Sequence, residues 1–338
     1  MPKTKTEIDE QDLPSGLVYV SDDMPGISRR KRGKGFQYID PQGCSIDDEG
    51  ELDRIRTLAV PPAYSDVWIC MKPNGHLQAT GHDDRKRKQY RYHEKWSEYR
   101  SLLKFDSLAE FGQLLPRIRR RVRRSLREPE MDKDFVSAAV IRLLDKGHLR
   151  IGGSDESVTG ALGATSLQHK NVKLRDGKIR LDYVAKGGKR VRRQLSDRKL
   201  MQTLEQIDNL PGKRLFQYRG HDDDIHPLDS GDVNEWLKMA SGDSDISAKT
   251  FRTWAGTLAA FEVAQKEDEL SIRKMCEAAA EQLRNTPAIC RNSYVHPAVI
   301  SLADVDADQR AKQIAGKIKT TTGLTNSETQ LLAFLTSD

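Results

Sequence analysis

Between residues 172 and 195 the chain holds three short β-prone runs, Val172 to Leu174, Ile179 to Val184 and Arg190 to Leu195, separated by Asp176-Gly177 and Gly187-Gly188. Both dipeptides favour the backbone angles of tight hairpin turns, so the sequence predicts a three-stranded meander. It is embedded in sequence of another period. Before it, Leu108, Phe111, Leu114, Leu115, Ile118, Val122 and Leu126 recur at three- and four-residue steps, which puts the intervening arginines on the opposite face of a helix. A second, largely buried helix carrying Phe135, Ala138, Ala139, Ile141, Leu143 and Leu144 is expected to end at Gly147. After Ser196 helical patterns resume, at 232–239, 248–265, 270–283, about 306–318 and 326–336. The expectation is an α+β fold: a mainly α-helical domain with an inserted β-hairpin or meander that presents Lys186 and Lys189 at one tip.

The N-terminal part reads differently. Leu17 to Val20, Phe36 to Ile39, Val67 to Met71 and Leu77 to Thr80 are rich in β-branched and aromatic residues, with turn sequences at 40–43 and 72–75. One short helix fits 51–58, and a helical stretch from Glu94 to Leu103 leads out. A chain of 338 residues exceeds the usual size of one domain. The expected division is a disordered lead-in at 1–13, a small β-rich domain at 14–97 and a mainly helical domain at 98–338.

Composition narrows the function. No apolar run approaches the roughly 20 residues that span a bilayer, and the charged N-terminus lacks the apolar stretch of a signal peptide. Cys44, Cys70, Cys276 and Cys290 are scattered, which argues against zinc or a disulfide framework and for a reducing cytoplasm. Net charge is only +6, but the basic residues cluster. Seven arginines lie within 117–127, residues 29–34 read Arg-Arg-Lys-Arg-Gly-Lys, and 85–91 read Arg-Lys-Arg-Lys-Gln-Tyr-Arg. A charge run is most often solvated surface. Three runs on separate elements, one interleaved with tyrosine, favour a nucleic acid contacted from several sides.

Reaction at a DNA phosphodiester without metal needs an oxygen nucleophile, cationic donors for the developing charge, and an acid for the leaving oxygen. Arginine suits the second task through its planar fork, and lysine, which titrates near ~10.4 and can be lowered by cationic neighbours, suits the third. Tyr294 stands in a short polar run after an amphipathic stretch, with Thr286-Pro287 expected to end one helix and Ser293 to Pro297 to rim another. A tyrosine there can pack or attack phosphorus. Arg150 follows a helix end, Lys186 stands on the hairpin tip, and Arg252 lies in the first turns of a helix opened by Ser247. Each has a structural alternative: an ion pair of Arg150 with Asp155, a solvated turn lysine, an ion pair of Arg252 with Glu262.

The segment Asn285-Thr286-Pro287-Ala288-Ile289-Cys290-Arg291-Asn292-Ser293-Tyr294-Val295-His296-Pro297 resembles the active-site segment of bacterial, poxvirus-like type IB DNA topoisomerases. His148-Leu149-Arg150-Ile151-Gly152, the hairpin around Lys186 and Phe251-Arg252-Thr253 resemble that family's other active-site elements in the same order. Gly81 to Tyr92 is similar to its DNA-contacting segment. The resemblance implies a topoisomerase IB-like α+β fold, with Tyr294 as nucleophile. It assigns Arg150, Arg252 and Asn285 to the transition-state oxygens and Lys186 to the leaving oxygen. Arg87, Gln89, Tyr90 and Tyr92 would touch DNA, together with Lys189 on the hairpin. It further implies a 3′-phosphotyrosyl intermediate, relaxation of supercoiled duplex DNA, no ATP, metal or other cofactor, a monomer clamping DNA, and a cytoplasmic, nucleoid-associated setting. Two positions depart from the pattern. Asn285 stands where poxvirus and eukaryotic relatives have histidine, and Arg284 where many have glycine.

Two rival readings stand beside this one. A tyrosine recombinase uses the same nucleophile but normally carries His-x-x-Arg at the second arginine, where this chain has Lys249. A non-catalytic DNA-binding factor needs no tyrosyl intermediate. No Gly-x-x-x-x-Gly-Lys-Ser/Thr loop occurs. His82-Asp83-Asp84 and His221-Asp222-Asp223-Asp224 have metal-ligand types but read as solvated acidic turns, and His296 is either a positioning or a surface residue.

Overall fold

The computed structural model describes residues 13–337 apart from 34, 85, 129, 154–159, 221, 243, 245 and 316–320, and apart from the side chains of 101–104. The predicted lead-in at 1–13 lies, except for Leu13, outside the described residues. Two compact units meet in sequence between Lys104 and Phe105.

The first unit holds strands β1 (Ile27–Arg32), β2 (Gly35–Ile39), β3 (Ser65–Ile69), β4 (Leu77–His82) and β5 (Lys88–Tyr92), with helix α1 (Glu49–Thr57). The strands form one antiparallel sheet in the order β2-β1-β3-β4-β5. Ile27, Ile55, Val67, Ile69 and Ala79 make its core. One expectation fails here. Leu17 to Val20 is not a strand; Val18 makes an isolated bridge to Gly75, just ahead of β4, and Val20 N donates to His76 Nδ1 at 3.2 Å. Most of the basic run 29–34 is strand β1, paired along its length with β2. Arg29 explains why a charged strand is tolerated: its guanidinium donates to the carbonyls of Val60, Pro61 and Tyr64 and lies 4.2 Å from the Phe36 ring centre.

Helix α2 (Glu94–Ser125) is continuous across the stretch where the sequence predicts two segments. It leads into α3 (Lys133–Gly147), whose first turn is capped by the Asp132 side chain accepting from Phe135 N at 2.8 Å. Strands β6 (Val172–Arg175), β7 (Lys178–Ala185) and β8 (Lys189–Leu195) then form the predicted meander in the order β6-β7-β8. The turn Asp176-Gly177 has positive φ at both residues, the geometry that matches the twist of paired strands. Along β7 burial alternates strictly, with Ile179, Leu181, Tyr183 and Ala185 inward.

There follow α4 (Arg198–Ile207), a short pair β9 (Gln217–Arg219) and β10 (Ile225–Pro227) that the sequence reading lacks, and α5 (Ser230–Ser241). The C-terminal helices are α6 (Ala248–Lys266), α7 (Ile272–Leu283), α8 (Pro287–Ser293), α9 (Pro297–Ile300), α10 (Ala307–Ile314) and α11 (Asn326–Leu335). Phe111, Leu115 and Ile118 of α2, Phe135, Ile141 and Leu144 of α3, and Phe251, Trp254 and Phe261 of α6 are buried together in the main core. Each such side chain contributes about 1.5–3 kcal/mol of transfer free energy. Gly112 permits the close approach of α2 to α6, since a Cβ there would lie 2.6 Å from the Trp254 ring. Among the described residues no helix is long and apolar enough to cross a membrane.

Candidate active site

Tyr294 lies at the junction of two short helices, each started by a capping side chain and a proline. Thr286 accepts from Ile289 N with Pro287 in the first turn of α8, and His296 Nδ1 accepts from Ala298 N with Pro297 opening α9. Thr286-Pro287 therefore begins a helix rather than ending one. Proline lacks the N–H that a first turn leaves unpaired, so this is where it is best tolerated. The Tyr294 N–H donates to Cys290 O at 2.9 Å and closes α8.

Helix α6 holds the tyrosine from below. The Thr257 hydroxyl donates to Tyr294 O at 3.2 Å and accepts from His296 N at 3.1 Å. One residue earlier, Gly256 leaves room for the chain: a Cβ there would stand 2.7 Å from Tyr294 O. One turn back on the same helix is Arg252, only 4% exposed, with its guanidinium carbon 5.1 Å from the Tyr294 ring centre. Arg252 Nη1 donates to His148 O and Nη2 to Leu283 O, the second at 3.0 Å. The ion pair with Glu262 is not formed. Burial lowers the Arg252 pKa, and the adjoining Tyr294 opposes that shift.

Both carbonyls that Arg252 takes are at helix ends. The last turn of a helix leaves carbonyls unpaired and carries negative dipole charge, so a guanidinium is well placed there. Beyond α3, His148 takes left-handed angles (φ 51, ψ 35) and turns the chain toward Arg150. The loop is pinned by Ala164 N donating to Arg150 O at 2.8 Å and Thr165 N to Ile151 O at 2.9 Å. Gly163 fits because any Cβ would collide with Gly152 and with Arg150 O. The charge of Arg150 is felt at Tyr183, Arg252 and Cys290. Its alternative partner Asp155 lies outside the described residues.

Helix α7 ends in Arg284, again left-handed (φ 51, ψ 53). That conformation favours glycine, which accounts physically for a position where glycine suits the pattern. Asn285 follows, its N–H donating to Ala280 O at 2.9 Å and its Oδ1 accepting from Thr286 N at 3.1 Å. Its Nδ2 is buried with no partner, leaving a donor to spend.

The hairpin behaves less uniformly. Lys186 opens the three-residue turn Lys186–Gly188, in which Gly187 and Gly188 have φ of 79° and 72°, and it is exposed. Lys189 closes that turn opposite Ala185, on the register of the inward face, and its charge reaches Cys290. The structure thus gathers Arg150, Arg252, Tyr294 and Asn285 around the ends of α3 and α7, and leaves Lys186 at the hairpin tip. Sequence reasoning misses two neighbours. Arg193 of β8 and Tyr183 of β7 line the same small cavity as Arg150, Arg252, Arg284 and His148, and among the described residues no acidic one lines it. The signal that reveals both is strand parity, since each lies two residues from an inward apolar residue.

In the first unit, Arg87 pairs with Asp83 at 2.7 Å, and Gln89 Nε2 donates to the same carboxylate at 3.1 Å. The Tyr90 and Tyr92 rings stack 6.0 Å apart at 9°, on one face of β5, while Arg91 Nη2 donates to Ala59 O. Asp222, in the acidic turn, is taken by His226 at 3.0 Å.

A family model described as the catalytic core of eukaryotic DNA topoisomerase I matches residues 93–323, and one described as the N-terminal domain of bacterial DNA topoisomerase IB matches 35–83. Residues 87–92 fall between the two matches. The chain is also 28% identical over 288 residues to the DNA topoisomerase 1B of Acanthamoeba polyphaga mimivirus, an alignment that covers 80% of this chain and 85% of that protein. The core match spans well over half the chain and takes in α2 through α10 with the cavity between them. On that ground the chain belongs to the type IB DNA topoisomerases, isomerases that act on DNA.

Proposed function

We propose that the chain relaxes supercoiled duplex DNA by cutting one strand with Tyr294 and resealing it. The phenol oxygen forms a bond to a backbone phosphorus as the bond to the 5′-oxygen breaks. The phenol proton passes to solvent water, and Lys186 supplies the proton that the departing 5′-oxygen takes. Arg150, Arg252 and the unpartnered Nδ2 of Asn285 donate to the non-bridging oxygens. Asparagine carries no charge, so proton donation falls to lysine. The 3′-phosphotyrosyl link is itself a phosphodiester, so the free 5′-hydroxyl can reverse the reaction after strand rotation with no ATP and no metal. Arg87, Gln89, Tyr90, Tyr92 and Lys189 bind the duplex. The protein acts as a monomer closing round DNA, within the cytoplasm at the nucleoid. The recombinase alternative lacks support, because Lys249 occupies the place of its histidine.

The observation that carries this reading is the buried guanidinium of Arg252 against the Tyr294 ring, held by two helix-end carbonyls and lining a small cavity with no acidic residue among those described. A cation so placed supports the reception of an anion near the phenol. The test is incubation of supercoiled plasmid with wild type and Tyr294→Phe, without metal or ATP, scoring relaxation and a denaturation-resistant protein–DNA adduct. The wild type is expected to relax and form the adduct; Tyr294→Phe is expected to bind DNA but do neither. An adduct formed by Tyr294→Phe would mean another nucleophile.

A further inference from the structure

One side chain joins the β7–β8 hairpin to the end of α7. Arg193 stands opposite Leu181 in the strand register, four residues from the turn that carries Lys186 and between the inward Val191 and Leu195. Its Nη2 donates to Gln282 O in the last turn of α7. Its Nε is buried with no partner. Burial, together with the like charges of Arg284 and Arg252, pushes its pKa down to about 10. A guanidinium held this way is costly, and an apolar side chain would cover the same strand face more cheaply. A side chain with several cationic donors can fill a role here that an apolar one cannot.

The pattern of bonds supplies one. Gln282 O and Leu283 O are consecutive carbonyls at the end of α7; Arg193 takes the first and Arg252 the second. Arg252 also holds His148 O at the end of α3. Two guanidiniums therefore gather three pieces of chain at one point: the end of α3 leading to Arg150, the end of α7 leading to Asn285, and β8 leading back to the hairpin tip. A backbone bond from Leu162 N to Val184 O at 2.8 Å holds β7 to the loop beyond α3, and Arg193 is the side chain that ties the opposite strand, β8, to the end of α7.

We propose that Arg193 is a positioning residue that fixes the β7–β8 hairpin against the end of α7 and thereby sets where Lys186 stands relative to the reacting phosphate. The proposal rests on the reading of Lys186 as proton donor to the 5′-oxygen. It makes a distinctive demand: loss of Arg193 should resemble loss of Lys186, not loss of Arg252. A 5′-thiolate leaves without a proton, since a thiol titrates near ~8.5, far below an alcohol. A substrate with sulfur in place of the bridging 5′-oxygen thus cancels defects in proton donation and leaves defects in charge stabilisation.

The experiment is single-turnover cleavage of matched oxygen and sulfur substrates by the full-length wild type, Lys186→Ala, Arg252→Ala, Arg193→Ala, Arg193→Lys, and the Lys186→Ala/Arg193→Ala double variant. Arg193→Ala is expected to cleave the oxygen substrate about 10²-fold slower, the scale of a misplaced catalytic group, and to regain the wild-type rate on sulfur. The double variant is expected to be no slower than Lys186→Ala alone, and Arg193→Lys, which keeps a cationic donor for Gln282 O, to retain most activity. Equal slowing of Arg193→Ala on both substrates, beside rescued Lys186→Ala, overturns the proposal and puts Arg193 on the phosphate or in the fold. If Lys186→Ala is itself not rescued, the proton comes from another group, and the proposal falls with that reading. Should Arg193→Ala fail to fold, Arg193→Gln, which retains an amide donor without the charge, carries the same comparison.

Discussion

His148 is held by the left-handed end of α3, and its ring is packed where a proton is unwelcome. Burial pushes its pKa down to about 4, with Arg193, Arg252 and Lys146 adding to the effect and Asp145 opposing it. An unfolded histidine titrates near ~6.5. Between those two values the unfolded chain binds a proton that the folded chain refuses, so stability declines as pH falls from 6.5 toward 4. The full effect is at most about 3 kcal/mol. Asparagine accepts left-handed angles, so His148→Asn removes the titration and keeps the turn. Urea unfolding at pH 7, 6, 5 and 4 is expected to show the variant gaining on wild type as the pH drops, and parallel curves would show that the folded ring takes its proton normally. At this scale the sequence discloses the chemistry of a residue better than its company. Arg252 is legible as a cation near a tyrosine, but its partners are carbonyls at two helix ends that no spacing rule connects. Asn285 is legible as a donor, whereas the emptiness around its Nδ2 depends on packing.

At the end of α7 an arginine occupies a backbone conformation that suits glycine. A non-glycine residue in left-handed angles costs roughly 1 kcal/mol, and here the side chain adds a like charge beside Arg193. Arg284→Gly should therefore raise stability by about 1 kcal/mol while weakening cleavage, because one of the cations lining the cavity is gone. Thermal unfolding and single-turnover cleavage on the same preparation check both halves; unchanged melting would show that the turn is not strained. Elements whose two faces differ in polarity were open to sequence reading. The alternation of β7, the arginine-backed apolar stripe of α2 and the turn at Asp176-Gly177 all translate directly into structure. Strand β1 did not, because its residues are basic and carry no apolar alternation, even though its pairing with β2 is a local hairpin with Arg32 opposite Gly35. The run Leu17 to Val20 has strand-like residues but only one bridging partner, and β-propensity without a neighbour makes no strand. Arg193 is basic among basic neighbours, yet Val191 and Leu195 on either side mark its position as inward.

At the scale of the whole second unit, its first and last helices are tied together. Arg119 of α2 donates to Asp145 of α3 and to Glu328 of α11, each at 2.8 Å. Trp254 Nε1, two residues beyond Arg252, donates to the same glutamate at 3.4 Å. Glu328 is 4% exposed. Burial alone would raise its pKa, but the hydrogen bond and charge of Arg119 outweigh that and hold it below the ordinary value. The pair therefore contributes at neutral pH and is lost only as acid carries the solution through that lowered value. Removing one member of a buried ion pair costs about 3–5 kcal/mol, and Asp145 softens the loss by remaining on Arg119. Glu328→Gln is expected to lose about 3 kcal/mol in denaturant unfolding of the full chain; a loss under about 1 kcal/mol would place the pair with ordinary surface bridges. Glu328 lies 209 residues after Arg119, and a chain is synthesised from its amino end. Arg119, Asp145, Trp254 and the segment bearing Tyr294 all leave the ribosome before the carboxylate that braces them. For that interval the partners of this carboxylate are complete while the anion that ties them is still to come. Translation thus works as a delay line, in which α11 reaches the frame only after every partner that Glu328 braces has been made.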